Sequence, residues 1–140
     1  MRALIQRVSS ASVSVDGERI AAIAPGLLVL LGVHADDRAE DADRLARRVL
    51  ALRVFDAGER RMHRSVVDVG GEILCVSQFT LLAGTRRGNR PSFTAAASPE
   101  HAEPLYERFR AATGAQGGRF GARMAVELVN DGPVTILLES

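Results

Sequence analysis

The run Leu27-Leu28-Val29-Leu30-Leu31-Gly32-Val33 has no polar position and follows the turn sequence Pro25-Gly26. A strand exposed on one face alternates apolar and polar residues, whereas this run offers no polar face to water. It therefore predicts a central strand in a sheet that is covered on both sides. The run is too short to span a bilayer.

Other segments of the chain predict the partners of this strand. Residues 2–15 are predicted to form a half-buried strand, because serines alternate with alanine and valine from residue 10 to 15. Asp16-Gly17 predicts a tight turn, and residues 19–24 the second strand of a hairpin. Gly70-Gly71 leads into a further predicted strand over 72–79.

Two helices are predicted. Asp36 or Asp37 is expected to cap the first, which runs to about Leu52. Ser98 is expected to cap the second, with Pro99 at its first helical position. The predicted buried stripes are Ala42, Leu45, Val49 and Leu52 on the first helix, and Ala102, Leu105, Phe109 and Ala112 on the second.

The remaining segments are shorter or less regular. They are a strand at 53–55, a charged loop at 60–64, an irregular stretch at 83–97, a glycine-rich connection at 114–121, and two strands, 124–129 and 134–138, around a turn at Asn130–Pro133. The pattern predicts one α/β domain over residues 1–140, with a mixed sheet and two main helices.

Composition excludes few functions. The net charge is only +1, so it gives no general attraction to nucleic acid or membrane. Cys75, the single cysteine, lies in an apolar run and is expected to be a buried, inert thiol. With no possible internal disulfide and no signal peptide in the opening residues, the sequence favours the cytoplasm.

The usual catalytic motifs are missing. The three histidines show no spacing typical of metal ligands, so neither a metal nor a cofactor is expected. Phosphate-binding glycine motifs are absent. Ser77 lacks the Gly-x-Ser-x-Gly elbow of hydrolases.

The segment Ser77-Gln78-Phe79-Thr80-Leu81 stands at the end of a predicted strand and allows two interpretations. It is either a strand end that frays into solvent, or a site where the N–H groups near Phe79 and Thr80 leave the sheet and hold a developing oxyanion. Thr80 or Ser77 as a nucleophile would need a base that the sequence does not offer.

Gly132-Pro133 also has two interpretations. With Asn130 and Asp131 it is typical of a hairpin turn. If its peptide bond were cis, two neighbouring carbonyl oxygens would lie side by side and could accept hydrogen bonds from an ammonium group. Gly132 would let that group approach without a Cβ in the way.

Three arginines, Arg86, Arg87 and Arg90, lie close together in the irregular stretch. Such a loop is usually only solvated, but it can also bind the phosphates of a nucleic acid.

Together these segments resemble the D-aminoacyl-tRNA deacylase family, nearly end to end. The motifs that carry the resemblance are Met1–Val8, Pro25–Val33, Asp68–Glu72, Ser77–Leu81, Arg90–Thr94, Pro104–Phe109, Phe120–Ala122 and Val129–Thr135. Ser77-Gln78-Phe79-Thr80 and Asn130-Asp131-Gly132-Pro133-Val134-Thr135 are the most specific of them. The resemblance implies a partly open, barrel-like sheet with two helices.

The resemblance also implies a function. It implies a homodimer that hydrolyses the ester of D-aminoacyl-tRNA, and by extension glycyl-tRNA, with no membrane or DNA partner. Gly132 and Pro133, joined by a cis bond and braced by Arg7, would enter the partner's site, hold the substrate ammonium and exclude L-amino acids. Residues 77–80 would line the ester carbonyl and terminal adenosine, and the ribose 2′-hydroxyl would activate water.

Two segments depart from the family pattern. Met62-His63-Arg64-Ser65 stands where Met-Asn-x-Ser is expected, and Gly117-Gly118 replaces a Thr-Gly pair in a short connection. A non-catalytic RNA-binding module remains the alternative, although an aromatic content of 4% leaves few stacking platforms. A small-molecule esterase with a Ser or Thr nucleophile is a third possibility, against which the missing base argues.

Overall fold

The computed structural model describes all 140 residues. Its elements, in chain order, are β1 (Arg2–Val15), β2 (Glu18–Ile23), β3 (Gly26–Gly32), α1 (Ala39–Ala51), β4 (Arg53–Ala57), β5 (Arg60–Ser65), β6 (Glu72–Ser77), a 3-10 helix (Phe79–Leu82), α2 (Pro99–Thr113), β7 (Gln116–Gly117) and β8 (Ala125–Glu139). Neither α1 nor α2 has the length and apolar character that a membrane-spanning helix requires.

Strand β1 organises the main sheet. Its first half pairs with β3 and its second half with β2, while β8 runs along its opposite edge; all three pairings are antiparallel. Beyond β3 the sheet continues through β6 and β7 in parallel pairings. The sheet is therefore mixed, and the prediction of a mixed sheet with two helices is confirmed.

The prediction that residues 27–33 form a central strand buried on both faces is also confirmed. Leu27, Val29 and Leu31 belong to the larger core, which includes the buried faces of α1 and α2. Leu28 belongs to a second core whose buried members all lie on strands β1, β2, β3 and β6, with β8 packed against it. Strands alone thus enclose this second core, as in a partly closed barrel.

Helix α1 begins later than predicted. Its N-cap is Arg38 rather than Asp36 or Asp37, and the carboxylate of Asp41 accepts the Arg38 backbone N–H at 2.8 Å. Asp37 is used elsewhere: it accepts the His34 backbone N–H at 2.6 Å and pairs with the N-terminal ammonium group at 2.7 Å. Asp37, which the local sequence predicts as a helix cap, therefore forms a long-range ion pair instead.

Helix α2 begins as predicted, with Ser98 as N-cap and Pro99 in its first turn. Its buried face differs at one position, because Ala112 is exposed and Tyr106 is buried instead. The Tyr106 hydroxyl donates to the Cys75 backbone oxygen at 2.8 Å, which satisfies its one polar group inside the core.

The prediction of a charged loop at 60–64 is wrong. Arg60–Ser65 is strand β5, which pairs with β4 in a separate two-stranded sheet. Its first four side chains are all exposed, so the sequence shows none of the alternation that marks a half-buried strand.

The predicted turn between two final strands is also wrong. Strand β8 stays antiparallel to β1 on both sides of Asn130–Pro133, with register shifts opposite Val8. Asn130 pairs with Val8 and Thr135 with Gln6, so Asp131–Val134 bulge out of one continuous strand opposite Arg7 and do not reverse the chain.

Candidate active site

The largest cavity of the chain encloses about 470 Å³ and is mainly apolar. It lies where the end of β6 meets the start of α2 and the segment that leads into β8. The residues lining it are Val33, Val76, Ser77, Gln78, Phe79, Ala97, Pro99, Ala102, Phe120, Gly121, Ala122, Met124 and Val126.

The segment from Ser77 to Phe79 forms one wall of this cavity. The Gln78 N–H donates to the Leu31 backbone oxygen at 2.8 Å, the last bond of this edge of the sheet. The chain then turns into the 3-10 helix, so the prediction that the strand extends to residue 79 is wrong. Side chains of Ser77, Gln78 and Phe79 line the cavity, whereas Thr80 is exposed beside it and accepts a hydrogen bond from the Gln78 amide.

The N–H groups of Phe79 and Thr80 stand at the start of the 3-10 helix. The first N–H groups of a helix have no acceptor within it, and no loop or side-chain hydrogen bond of the chain uses the N–H of Phe79 or Thr80. The local geometry therefore agrees with the interpretation in which these donors leave the ladder at the cavity wall.

No conventional catalytic base accompanies Ser77. The residues lining the cavity include no histidine, aspartate or glutamate. A Ser-His-Asp arrangement needs a base within hydrogen-bond reach of the nucleophile, and this wall does not supply one. Nowhere in the chain do three His, Cys, Asp or Glu side chains come together in the arrangement of a metal site.

Phe79 makes an aromatic pair with Phe93, with ring centroids 5.0 Å apart and planes at 67°. Phe93 is held by a short bridge in which Gly84 and Ser92 exchange backbone hydrogen bonds of 2.7 and 2.9 Å. Both rings remain partly exposed. Phe93 thus supports the Phe79 ring, whose exposed part offers an apolar surface at the cavity wall.

The three arginines of the irregular stretch lie on the loop between Gly84 and Ser92. Arg86, Arg87 and Arg90 are exposed, and none forms an ion pair. No acidic residue occurs between Glu72 and Glu100. The loop is therefore a local positive surface on a chain of nearly zero net charge.

Gly132 and Pro133 lie apart from this cavity in the same subunit. Their peptide bond is cis, and Gly132 has φ +144°. Both residues are exposed and neither lines the cavity. Arg7, expected to brace this unit, donates from Nε to the Asp131 backbone oxygen at 2.9 Å and from Nη1 to the Val54 backbone oxygen at 2.6 Å.

Sequence reasoning missed the other walls of the cavity. Ala97 precedes α2, and Pro99 and Ala102 lie at its start. The segment before β8 and the start of β8 complete the lining with Phe120, Gly121, Ala122, Met124 and Val126. Phe120-Gly121-Ala122 belongs to the resemblance but carries no polar side chain that would mark it as part of a site.

Cys75 and Tyr106 lie just behind the cavity wall. Burial strongly raises the pKa of both groups above their ordinary values. The Cys75 thiol therefore stays protonated near neutral pH, as expected for an inert core cysteine.

Nearly the whole chain, including every segment that lines this cavity, matches one family model. The model described as D-Tyr-tRNA(Tyr) deacylase covers residues 4–139. The chain belongs to this family. It is accordingly a hydrolase of the D-aminoacyl-tRNA deacylase class.

Relatives of this chain match it in sequence over nearly their full length. A D-aminoacyl-tRNA deacylase of Opitutus terrae is 59% identical, with 100% of this chain and 97% of the relative covered. One of Roseiflexus castenholzii is 57% identical, with 100% and 92% covered.

Two solved structures share the fold. One described as c-Myc DNA Unwinding Element Binding Protein has a TM-score of 0.93 and 44% identity, covering 100% of this chain and 99% of that one. A probable eukaryotic D-amino acid tRNA deacylase has a TM-score of 0.85 at 17% identity, covering 99% and 98%, and supports the fold alone.

Proposed function

We propose that the protein hydrolyses the ester between a D-amino acid and the 3′ end of tRNA, and that it also accepts glycyl-tRNA. The observation that carries the proposal is the cavity wall at Ser77–Phe79, where the chain leaves the sheet for a 3-10 helix beside a mainly apolar space. Family membership supplies the substrate class.

The ester carbonyl would lie against the N–H groups of Phe79 and Thr80. Donors aimed at a developing oxyanion contribute roughly 3 kcal/mol each to acyl transfer. Gln78 and Thr80, hydrogen-bonded to each other, would keep this turn in one conformation. The family resemblance implies that the substrate's own ribose 2′-hydroxyl activates the attacking water, and a cavity without a His, Asp or Glu side chain is compatible with that role. The aromatic pair at Phe79 offers a surface for the terminal adenosine.

Gly132 and Pro133 would supply the chiral selection from a second subunit. Their exposure, and their separation from the cavity of the same chain, support insertion into a partner's site. Their backbone carbonyls would accept hydrogen bonds from the substrate ammonium. An L side chain would then point into this rigid unit, whereas a D side chain would point away from it. Glycine has no side chain to exclude.

The active form would then be a homodimer that works on tRNA in the cytoplasm. Arg86, Arg87 and Arg90 would bind RNA phosphates outside the cavity, since planar guanidinium groups without an acidic partner suit that contact. A size measurement by light scattering tests the dimer directly, with a monomer of 15.0 kDa contradicting it.

The first experiment measures deacylation of D-tyrosyl-tRNA, L-tyrosyl-tRNA and glycyl-tRNA side by side in EDTA. We expect rapid loss of the D and glycyl esters with the L ester intact. Loss of the L ester as well would contradict exclusion by Gly132-Pro133. Stability of all three esters would favour the alternative, a non-catalytic RNA-binding module.

A second experiment separates positioning from nucleophilic catalysis. If Thr80 only positions the turn, Thr80→Ala keeps measurable hydrolysis, whereas loss of a nucleophile abolishes it. Gly132→Ala should reduce hydrolysis of the D ester, because its Cβ would stand 2.8 Å from a Val134 methyl group and 3.2 Å from the Arg7 guanidinium. Gly17→Ala is the matched control, since Gly17 also has a positive φ but no neighbouring atom within 4 Å.

A further inference from the structure

The hairpin formed by β4 and β5 carries the second concentration of positive charge. Residues 53–65 contain four arginines and one histidine but only two carboxylates. Arg53, Arg60, Arg61 and His63 are exposed and form no ion pair or side-chain hydrogen bond. This is unlike helix α1, where Arg44 is paired with Asp41.

One of the two carboxylates is already engaged. Asp56 accepts the Met62 backbone N–H at 3.1 Å and lies 4.0 Å from the Arg7 guanidinium. Glu59, in the turn, is the other carboxylate of the hairpin. The pKa of Asp68, beyond the hairpin, is lowered by hydrogen bonds from Ser65 and also by the nearby charges of Arg64 and Arg53. Arg60, Arg61 and His63 have no such partner. The outer surface of the hairpin therefore has an excess of positive charge and suits a polyanion.

The hairpin is also fixed beside the Gly132-Pro133 unit. Arg7 donates to the Val54 backbone oxygen in β4 at 2.6 Å and to the Asp131 backbone oxygen at 2.9 Å. One guanidinium group thus joins the two segments. If Gly132-Pro133 enters a partner's cavity, this hairpin borders the mouth of that cavity.

We infer that the β4–β5 hairpin is an RNA-binding surface that contacts phosphates of the tRNA bound in the partner subunit's site. The inference rests on the proposed cross-subunit function. It assigns Arg60 and Arg61 a role in binding tRNA and no role in the chemistry, because the ester lies in the cavity. Arg86, Arg87 and Arg90 would hold the same tRNA from the subunit whose cavity is occupied.

The test is the double variant Arg60→Gln/Arg61→Gln. Its matched control is Arg44→Gln/Arg47→Gln, which removes the same charge from α1, a helix that contributes no residue to the cavity. When log K is plotted against the logarithm of the salt concentration, each phosphate contact makes the slope steeper by about 0.9. At 0.15 M salt, one such contact corresponds to about fivefold in affinity. The hairpin variant should therefore bind uncharged tRNA about 5- to 25-fold more weakly, with a salt slope reduced by about 1 to 2.

Kinetics provide the second readout. With D-tyrosyl-tRNA, KM should rise by the same factor while kcat stays within twofold, and the control should match the wild type. A fall in kcat at unchanged KM, an unchanged salt slope, or an equal effect of the control would overturn the inference. Binding of uncharged tRNA is measured without any hydrolysis. If the wild type binds tRNA through the hairpin but cleaves no ester, the proposed function is refuted while the inference about the hairpin stands.

Discussion

Replacing Arg7 gives the sharpest test of how the Gly132-Pro133 segment is held. The Arg7 side chain is 13% exposed, and it donates to backbone oxygens of two segments that are otherwise far apart in the chain, at Val54 and Asp131. Arg7→Ala removes both hydrogen bonds, whereas Arg7→Lys keeps the charge but lacks the planar fork that serves two acceptors at once.

The magnitude follows from these two bonds. A hydrogen bond from a charged donor contributes about 1.5–3 kcal/mol. The Asp131 region is exposed, so water can replace part of what is lost, and the free energy of unfolding should fall by about 2–4 kcal/mol in Arg7→Ala. For a domain of this size that corresponds to a fall in Tm of about 7–14 °C. Arg7→Lys should lie between Arg7→Ala and the wild type.

Urea denaturation and deacylation of D-tyrosyl-tRNA measure the two consequences. If Arg7 braces residues 131–133, kcat/KM should fall in both variants even at a temperature where both are folded. The reasoning is refuted if Arg7→Ala unfolds within about 0.5 kcal/mol of the wild type, or if Arg7→Lys equals the wild type in both assays.

Three further predictions concern stability. Phe109→Ala, at a fully buried position of α2, should cost about 3–5 kcal/mol, and a urea midpoint unchanged from the wild type would contradict its place in the core. Tyr106→Phe should cost about 1 kcal/mol in urea denaturation through the lost bond to the Cys75 oxygen, and a variant as stable as the wild type would contradict this. Arg108 forms two 2.8 Å hydrogen bonds to Asp43 and holds the pKa of that carboxyl below its usual value. The stabilisation is therefore present at neutral pH and lost as pH falls below about 4, so Arg108→Gln should be less stable than the wild type at pH 7 and the difference should shrink at pH 3.

The sequence identified elements whose burial follows a local pattern. The apolar run at 27–33 could only be a strand covered on both faces, and Ser98-Pro99 marked the start of α2 within one residue. Prediction from the sequence was less reliable where exposed charged residues show no hydrophobic periodicity. Strand β5 exposes its first four side chains, so pairing with β4 and not burial makes it a strand.

Residues of the candidate site were recognisable because their chemistry is unusual for a strand end. Ser77, Gln78 and Phe79 do line the cavity, and Arg7 does contact the segment that precedes Gly132. The cavity-lining residues between 120 and 126 were not recognisable, since glycine, alanine and methionine there do not differ from ordinary structural residues.

What the sequence determined by itself was thus the buried strand, the two helices and the motifs that define the family, because each depends on neighbouring residues. The tertiary structure alone decided the path of the chain through Asn130–Pro133. Local residues favour a reversing turn there, but β1 offers one long edge along which both halves of β8 pair in the same direction. Backbone hydrogen bonds to a distant strand outweigh the preference of four residues, and they leave Gly132-Pro133 exposed in a bulge that does not line the cavity.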